Sequence, residues 1–550
     1  MRIQQLPMAP PRRANSQTTP NDADKPLKLV TVGDSLSAGF QDATLIHTGQ
    51  EANFSNLIAK QAGLDFKQPL FSEGGVPPAV FLGHDAAITK ALWSYAMVGA
   101  AVALPMAMIG AGFVPPELLL EPLYSAGGMG KLMTEGPVQN VAVPNFELRH
   151  LTDVSNVGDL MQEMVDGANS AGPLFMMAPY VRNILQEGGK AAQGKSEIDR
   201  AVEQKPDLIT FWAGNNDALE SASQMTVDDR TLTPVEDRVW EYTTTNPITG
   251  SRVTKQTPHV MKGFKNAFDG PEGALTRLLN ETDAEIMLMN IPDVTVIPFL
   301  RQVGDKVGDL PFRIALPDGT DLTQTIEDWT IPTKIRGEGH EGRTEFPRGT
   351  MVSLGMLLKK AHHIFLEHYD LAKADSVLSE DDVLDPDEIG KVRQRTVEFN
   401  QIISDAAASN SRVHLVDVAG LLNQTKQGGV SLRGEGPEMK VTNTFTGVSG
   451  QTGQDGIFGY DGIHPANVGH AVIANRILDT IKTDLGDNPR FAALANAEAI
   501  DEKAILASDP RRDARPVIVL GWSSAAIDGD VQEYFDEREA NCHSKAQEKP

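Results

Sequence analysis

Four residues of this sequence have side chains that together can cleave an ester. Ser35 follows the apolar run 27–32 and a Gly-Asp pair, and a serine becomes a nucleophile only beside a base. Asp461 and His464 stand three residues apart at a predicted helix start, close enough for the carboxylate to accept from the imidazole Nδ1–H. The amide of Asn216 can donate to a developing oxyanion. These residue types predict acyl transfer to Ser35.

The elements that must position these side chains are strands of one sheet. Helical stretches separate the predicted strands, which favours a parallel sheet with helices on both faces. Such sheets bind ligands at the carboxyl edge, where the polar residues would lie. We therefore expect a three-layer α/β/α fold with a flavodoxin-like parallel sheet of about five strands, plus large helical and loop insertions. The predicted strands are 27–32, 138–144, 207–212, 285–290 and 412–418.

Long gaps between the strands predict one decorated domain. We expect a disordered N-terminal arm at 1–26, a catalytic domain at 27–484 and a charged C-terminal extension at 485–550. Within the extension, the apolar run 516–522 predicts an edge strand. The Gly-, Ser- and Thr-rich stretch 424–458 predicts a loop. The predicted insertions are 72–137, 226–260, 305–350 and 425–458.

Composition excludes several classes of partner and site. The formal net charge of −25 argues against recruitment by nucleic acid or by an anionic membrane surface. Cys542 is the only cysteine, so an intrachain disulfide and a cysteine-based metal site are excluded. Residues 1–26 contain no apolar run, so we expect no secretory signal peptide and a soluble cytoplasmic location by default, with export by another route left open.

No cofactor or metal is expected. His362, His363 and His368 share one predicted helix, but none of them is four residues from another. This spacing does not place two ligands on one helical face, so a solvated face is the favoured interpretation.

The segment 91–116 contains no charged residue and is long enough to span a membrane. Its glycines and prolines favour a buried or lid-forming helical pair instead. Transient interfacial contact with lipid and a true membrane span remain alternatives.

Three short blocks in this order resemble the GDSL esterases/lipases, also called SGNH hydrolases. The first block is matched by GDSLS at 33–37, the third (G-x-N-D) by 214–217 and the fifth (D-x-x-H) by 461–464. The segment MNIPDVT at 289–295 also looks like the longer lipase and lecithinase-type members.

The resemblance implies a role for each residue. Ser35 would be the nucleophile, His464 the base and Asp461 its orienting carboxylate. Asn216 and the backbone N–H of Ser35 would be donors of the oxyanion hole.

The second block of the family departs from its pattern here. The family has a glycine after the second strand, and its backbone N–H helps to form the oxyanion hole. Asn145 stands at this position, and Asn is the non-glycine residue that best tolerates a left-handed backbone. Gly74 is the competing candidate, but it does not follow a convincing strand. We favour Asn145.

We expect a metal-independent serine ester hydrolase. An acyl ester of lipid type is the favoured substrate, since 91–116 would line an acyl pocket or form a lid. A carbohydrate O-acetylesterase and a non-catalytic, membrane-associated binding protein on the same fold remain alternatives. Taken singly, Ser35 and Asp461 also suit helix caps, and Asn216 suits an Asx-turn. The sequence predicts neither the natural substrate nor the oligomeric state.

Overall fold

The structure is a computed structural model. It describes residues 25–72, 75, 131–160, 177–186, 194–245, 252–315, 319–336, 342–358, 360, 377–448, 452–513 and 515–519. The predictions for 91–116, for His362, His363 and His368, for Cys542 and for Gly74 concern residues outside these ranges. Among the helices of the described ranges, none is long and apolar enough to cross a membrane.

The strands of the described residues form one central sheet and several small ones. In chain order they are β1 Leu29–Gly33, β2 Leu208–Trp212, β3 Arg238–Thr245, β4 Arg252–Met261, β5 Glu285–Met289, β6 Leu300–Gln302, β7 Arg313–Ala315, β8 Met351–Ser353, β9 Val413–Val416, β10 Val430–Ser431, β11 Lys440–Phe445, β12 Gln454–Phe458 and β13 Val517–Val519.

The α-helices are, in chain order, α1 Ser35–Ala38, α2 His47–Gln50, α3 Phe54–Ala62, α4 His150–Asp153, α5 Ala178–Ile184, α6 Glu197–Glu203, α7 Asn216–Gln224, α8 Phe264–Asp269, α9 Ala274–Glu281, α10 Thr323–Glu327, α11 Pro386–Ser409, α12 Val418–Gln427, α13 Asn467–Leu485, α14 Ala492–Ala495 and α15 Glu502–Ser508. Short 3₁₀ helices lie at Val294–Val296, Glu380–Asp382 and Pro489–Phe491.

The central sheet is parallel and has the order β1-β2-β5-β9. Strands β1, β2 and β5 are largely buried apolar runs, as expected for strands covered on both faces, whereas the edge strand β9 leaves Leu415 exposed. Successive residues of these strands point to opposite faces of the sheet, and each face packs into its own hydrophobic core. Val30, Ile209 and Leu288 pack on one face, whereas Leu29, Leu208 and Met289 pack on the other. Helices α6 to α9 and α11 cover the first face and α3, α12 and α13 the second. The three-layer α/β/α prediction is confirmed.

The predicted strand 138–144 is an extended segment beside β1 and not a regular strand. It makes ladder-like bonds to β1, from Thr31 N to Gln139 O at 2.9 Å and from Val143 N to Gly33 O at 3.1 Å. The only paired position here is Thr31 with Asn140. The segment pairs on one side only, and prolines at 137 and 144 lack an N–H and fix φ, which shortens the regular pairing. With this segment counted, the strand order is the flavodoxin order 2-1-3-4-5.

Two insertions contain more regular structure than the sequence indicated. The stretch 226–260 carries the antiparallel hairpin β3–β4. The loop prediction for 424–458 was wrong, because β10, β11 and β12 form a sheet there. Glycine and threonine suggested a loop, but β-branched threonine and valine also suit a strand. The edge-strand prediction for 516–522 holds at β13, which pairs with β7. The division of the chain into an N-terminal arm at 1–26, a catalytic domain at 27–484 and a C-terminal extension at 485–550 stays a prediction.

Candidate active site

The turn between β1 and α1 positions Ser35 at the carboxyl edge of the sheet. Gly33 has a φ of 150°, and a Cβ there would lie 2.0 Å from the carbonyl oxygen of Trp212, so only glycine fits. The carboxylate of Asp34 caps α1 by accepting from the N–H of Leu36 at 3.1 Å. Ser35 is therefore the first residue of the helix, and it is 3% exposed.

Ser35, His464 and Asp461 form one chain of hydrogen bonds. The Oγ of Ser35 lies 2.9 Å from the Nε2 of His464. The Nδ1 of the same imidazole lies 2.8 Å from Oδ2 of Asp461. The ring of Phe40 packs against the imidazole with 4.8 Å between the ring centroids. The arrangement orients Nε2 towards the serine oxygen, so the imidazole can accept its proton.

The Asp461 carboxylate is saturated with donors. Its Oδ1 accepts from the N–H groups of Ile463 and His464, each at 2.9 Å. Its Oδ2 accepts from the N–H of Ala43 at 2.9 Å as well as from the imidazole. Burial alone would raise the pKa of Asp461, but the charge of His464 and these hydrogen bonds outweigh it and lower the pKa. Asp461 therefore stays ionised beside the imidazole at neutral pH.

Asn216, after β2, is hydrogen-bonded to the loop that follows the 138–144 segment and carries Asn145. The Nδ2 of Asn216 donates to the carbonyl of Phe146 at 2.8 Å, which leaves its second amide N–H for another acceptor. Asn145 has a φ of 63°, the left-handed backbone that the sequence led us to expect of it. The bond from Val143 N to Gly33 O places this loop beside the end of β1.

Two neighbours in the third block, missed as site residues from sequence, hold the surrounding loops. The Nδ2 of Asn215 donates to Oδ2 of Asp34 at 2.8 Å. Oδ2 of Asp217 accepts from the N–H of Leu148 at 2.8 Å, which fixes the loop that carries Asn145. Burial, then the nearby charge of Glu147, raises the pKa of Asp217 to about 7. The polar G-N-N-D stretch at 214–217 marked these two residues in the sequence. Their partners, Asp34 and Leu148, are far away in the chain and are identified only by the contacts in the structure.

A second buried carboxyl lies beneath the Ser35 turn. Glu197 accepts from the N–H of Gly33 at 2.5 Å through Oε1. Burial raises its pKa well above the usual range, and the charge of Asp34 adds to the effect. Burial likewise raises the pKa of Asp34 to about 6, against the opposing hydrogen bonds from Asn215 and Leu36. Both acids stabilise the turn, Glu197 by accepting from the N–H of Gly33 and Asp34 by accepting from the N–H of Leu36.

A small pocket opens beside Ser35 and His464. Its wall is largely apolar and receives residues from α1, β2, α7, α12 and β12 and from the MNIPDVT segment. An apolar recess next to the serine oxygen suits the hydrocarbon part of an acyl group. The residues lining it are Ser35, Leu36, Trp212, Asn215, Leu219, Pro292, Val294, Ile297, Leu422, Phe458, Ile463, His464 and Pro465.

Comparison with known protein families agrees with the geometry. A model of the family "GDSL-like Lipase/Acylhydrolase" matches residues 29–330 of the 550-residue chain. The chain belongs to this family. The GDSL match includes Ser35, Asn145 and Asn216 but ends before Asp461 and His464. His464 lies within hydrogen-bond distance of Ser35, which is inside the match, and Asp461 lies within hydrogen-bond distance of His464.

As a member of this family, the chain is a hydrolase of acyl esters as a broad class. No match was found among curated proteins or among solved structures. Within the described residues, there is no group of three or more His, Cys, Asp or Glu side chains that could hold a metal ion.

Proposed function

We propose that the chain is a serine ester hydrolase in which Ser35, His464 and Asp461 act as a catalytic triad. The observation that carries the proposal is the continuous path from the Ser35 oxygen through the imidazole to the Asp461 carboxylate, with both links under 3 Å. All three side chains are buried at the edge where α/β sheets bind their ligands.

Acylation begins at the Oγ of Ser35. The oxygen attacks the ester carbonyl carbon while its proton passes to Nε2 of His464. Asp461 stabilises the imidazolium and keeps Nδ1 protonated. The carbonyl oxygen becomes an oxyanion, which the N–H of Ser35, the amide of Asn216 and the N–H of Asn145 would stabilise. The carbon–oxygen bond to the alcohol then breaks, and His464 returns the proton to the leaving oxygen.

Deacylation repeats these roles with water. His464 takes a proton from a water molecule whose oxygen attacks the carbonyl carbon of the acyl-serine. The bond to Ser35 breaks, the imidazole returns the proton to Oγ, and the carboxylic acid leaves. No metal or cofactor takes part in these steps.

The pocket beside Ser35 supports an apolar acyl group as the part of the substrate bound there. Trp212, Val294 and Ile297 present hydrocarbon to this space. The proposed substrate class is therefore an acyl ester of lipid type, and an O-acetyl ester of a carbohydrate is the competing candidate. Contact of 91–116 with a lipid surface stays a prediction.

Hydrolysis of p-nitrophenyl esters of graded acyl length tests the proposal. Ser35→Ala should lower kcat by about 10⁴-fold or more, because loss of the nucleophile removes the covalent route. Ser37→Ala is the matched control, since Ser37 is a buried serine of the same helix that donates to the Trp212 carbonyl at 3.2 Å.

Three outcomes are informative. Wild type that cleaves no ester, or Ser35→Ala as active as wild type, would refute the proposed function. An optimum at acetate favours the acetylesterase, whereas an optimum at longer chains favours a lipid-type ester.

A further inference from the structure

Asp42 and Ala43 form a turn that touches the Asp461 carboxylate. Gln41 and Thr44 exchange backbone hydrogen bonds of 3.0 Å across it. Both central residues have positive φ, 54° at Asp42 and 60° at Ala43, as in a type I′ turn. Left-handed backbone is unfavourable for alanine, so the surroundings must hold Ala43 in place. In this conformation its N–H donates to Oδ2 of Asp461, the same oxygen that meets the imidazole.

The Asp42 side chain connects this turn to the residue before Asp461. Its Oδ1 accepts from the N–H of Tyr460 at 2.6 Å. Its Oδ2 pairs with the Nε of Arg511. Asp42 is 1% exposed and Arg511 is 4% exposed, so the pair is fully buried.

Arg511 brings the C-terminal segment to both ends of the 460–467 stretch. Its Nη1 lies 3.2 Å from Oδ1 of Asp509, and Oδ2 of Asp509 accepts from the N–H of Asn467, at the start of α13. The hydroxyl of Tyr460 donates to the Arg511 carbonyl at 3.2 Å. The stretch that carries Asp461 and His464 is thus held on two sides by residues near position 510.

Charge explains why an arginine is needed at this place. Asp42 is buried and the Asp461 side chain is only 8% exposed, and two neighbouring carboxylates repel each other where little water screens their charges. Burial raises the pKa of Asp42, the Arg511 charge opposes the rise, and the Asp461 charge adds to it. Arg511 compensates the first carboxylate and so permits the second to remain ionised beside the imidazole.

We infer that Arg511 is a positioning residue of the active site, acting through Asp42 and the Ala43 N–H to orient the Asp461 carboxylate. The inference rests on the proposed function, because it assigns the C-terminal segment a part in the same triad.

The rate at which a fluorophosphonate probe labels Ser35 tests this inference without a known substrate. In Arg511→Met the labelling should slow by about 10- to 100-fold, because a catalytic group displaced by 1 Å loses on the order of a hundredfold in rate. Arg511→Lys keeps the charge but not the planar fork, and it should recover part of the rate. Arg515→Met is the matched control, since Arg515 is a half-exposed arginine of the same segment that contacts Glu327 instead.

A spectroscopic measurement separates positioning from general loss of structure. The Nδ1 proton of His464, bonded to Asp461, should give a low-field proton NMR signal in wild type and in Arg515→Met. The signal should be lost or shifted in Arg511→Met while the thermal transition persists. If Arg511→Met does not fold, Asp42→Asn replaces it, because its amide oxygen still accepts from Tyr460 N while the charge is removed.

The possible failures are distinct. Wild type that is not labelled at Ser35 would refute the proposed function and this inference with it. Wild type labelled at Ser35, with Arg511→Met or its Asp42→Asn substitute labelled equally fast or showing an unchanged low-field signal, would overturn this inference alone.

Discussion

Substitution of Asp461 by asparagine tests the hydrogen-bond geometry around the proposed triad. The two oxygens of Asp461 accept from four N–H groups, two at Oδ1 and two at Oδ2. Asparagine offers one oxygen and one NH₂ group. With the oxygen at the Oδ1 position, the Ala43 N–H loses its acceptor and the NH₂ faces His464 Nδ1. With the oxygen at the Oδ2 position, the N–H groups of Ile463 and His464 both lose their acceptor.

The first orientation leaves one backbone N–H unpaired and the second leaves two, so the first is favoured by about 1–3 kcal/mol. In this orientation the NH₂ group donates to Nδ1, so the neutral imidazole carries its proton on Nε2. Nε2 then faces Ser35 as a donor and cannot accept the serine proton. A hydrogen bond to a charged group contributes about 1.5–3 kcal/mol. The neutral amide loses this stabilisation of the imidazolium, which the Asp461 carboxylate provides. The combined effect of about 2.5–6 kcal/mol corresponds to a loss of about 70-fold to about 10⁴-fold in kcat.

The assay is kcat for the best p-nitrophenyl ester, with circular dichroism to verify the fold. Asp501→Asn is the matched control, because Asp501 caps α15 by accepting from Ala504 N at 2.9 Å, and asparagine caps equally well. We expect the control to match wild type. A folded Asp461→Asn enzyme with more than about a tenth of wild-type kcat would contradict this prediction, since even the smaller expected loss is about 70-fold.

Three further predictions follow from the same contacts. Activity should fall on acidification, because the imidazole base must be neutral to accept the serine proton, whereas the lowered pKa of Asp461 keeps that carboxylate ionised; a pH–rate profile with no fall on the acid side would contradict this. Asn216→Ala should lower kcat by about 10²- to 10³-fold with little change in KM, and a loss below about threefold would remove Asn216 from the oxyanion hole. Ala43→Gly should raise stability by up to about 1 kcal/mol, because glycine adopts the left-handed turn without strain, and a lower urea midpoint would contradict that account.

The central sheet and the grouping of polar strand ends could be predicted because their signals are local. Apolar runs bounded by glycine and asparagine marked β1, β2 and β5, and a parallel sheet brings their carboxyl ends to one edge. The D-x-x-H spacing likewise placed Asp461 and His464 within one turn of chain. Asn145 was anticipated in a left-handed conformation, which its φ of 63° shows.

Other features depend on partners far away in the chain. Asp42 and Arg511 are 469 positions apart, and neither has neighbours that indicate a pair. The sheet of β10 to β12 was missed because glycine and threonine also suit loops, and strand pairing with the right partners decides between the two. The segment 138–144 was expected to be regular, but a ladder on one side only and two flanking prolines reduce it to an extended edge.

Covalent labelling of Ser35 tests the central claim most directly. Wild type, Ser37→Ala and His464→Ala are treated with a fluorophosphonate, and the modified peptide is identified by mass spectrometry. We expect one adduct, on Ser35, formed at equal rates in wild type and Ser37→Ala and at a rate reduced by about 10³-fold or more in His464→Ala. An adduct on another residue, or undiminished labelling of Ser35 without His464, would contradict the claim.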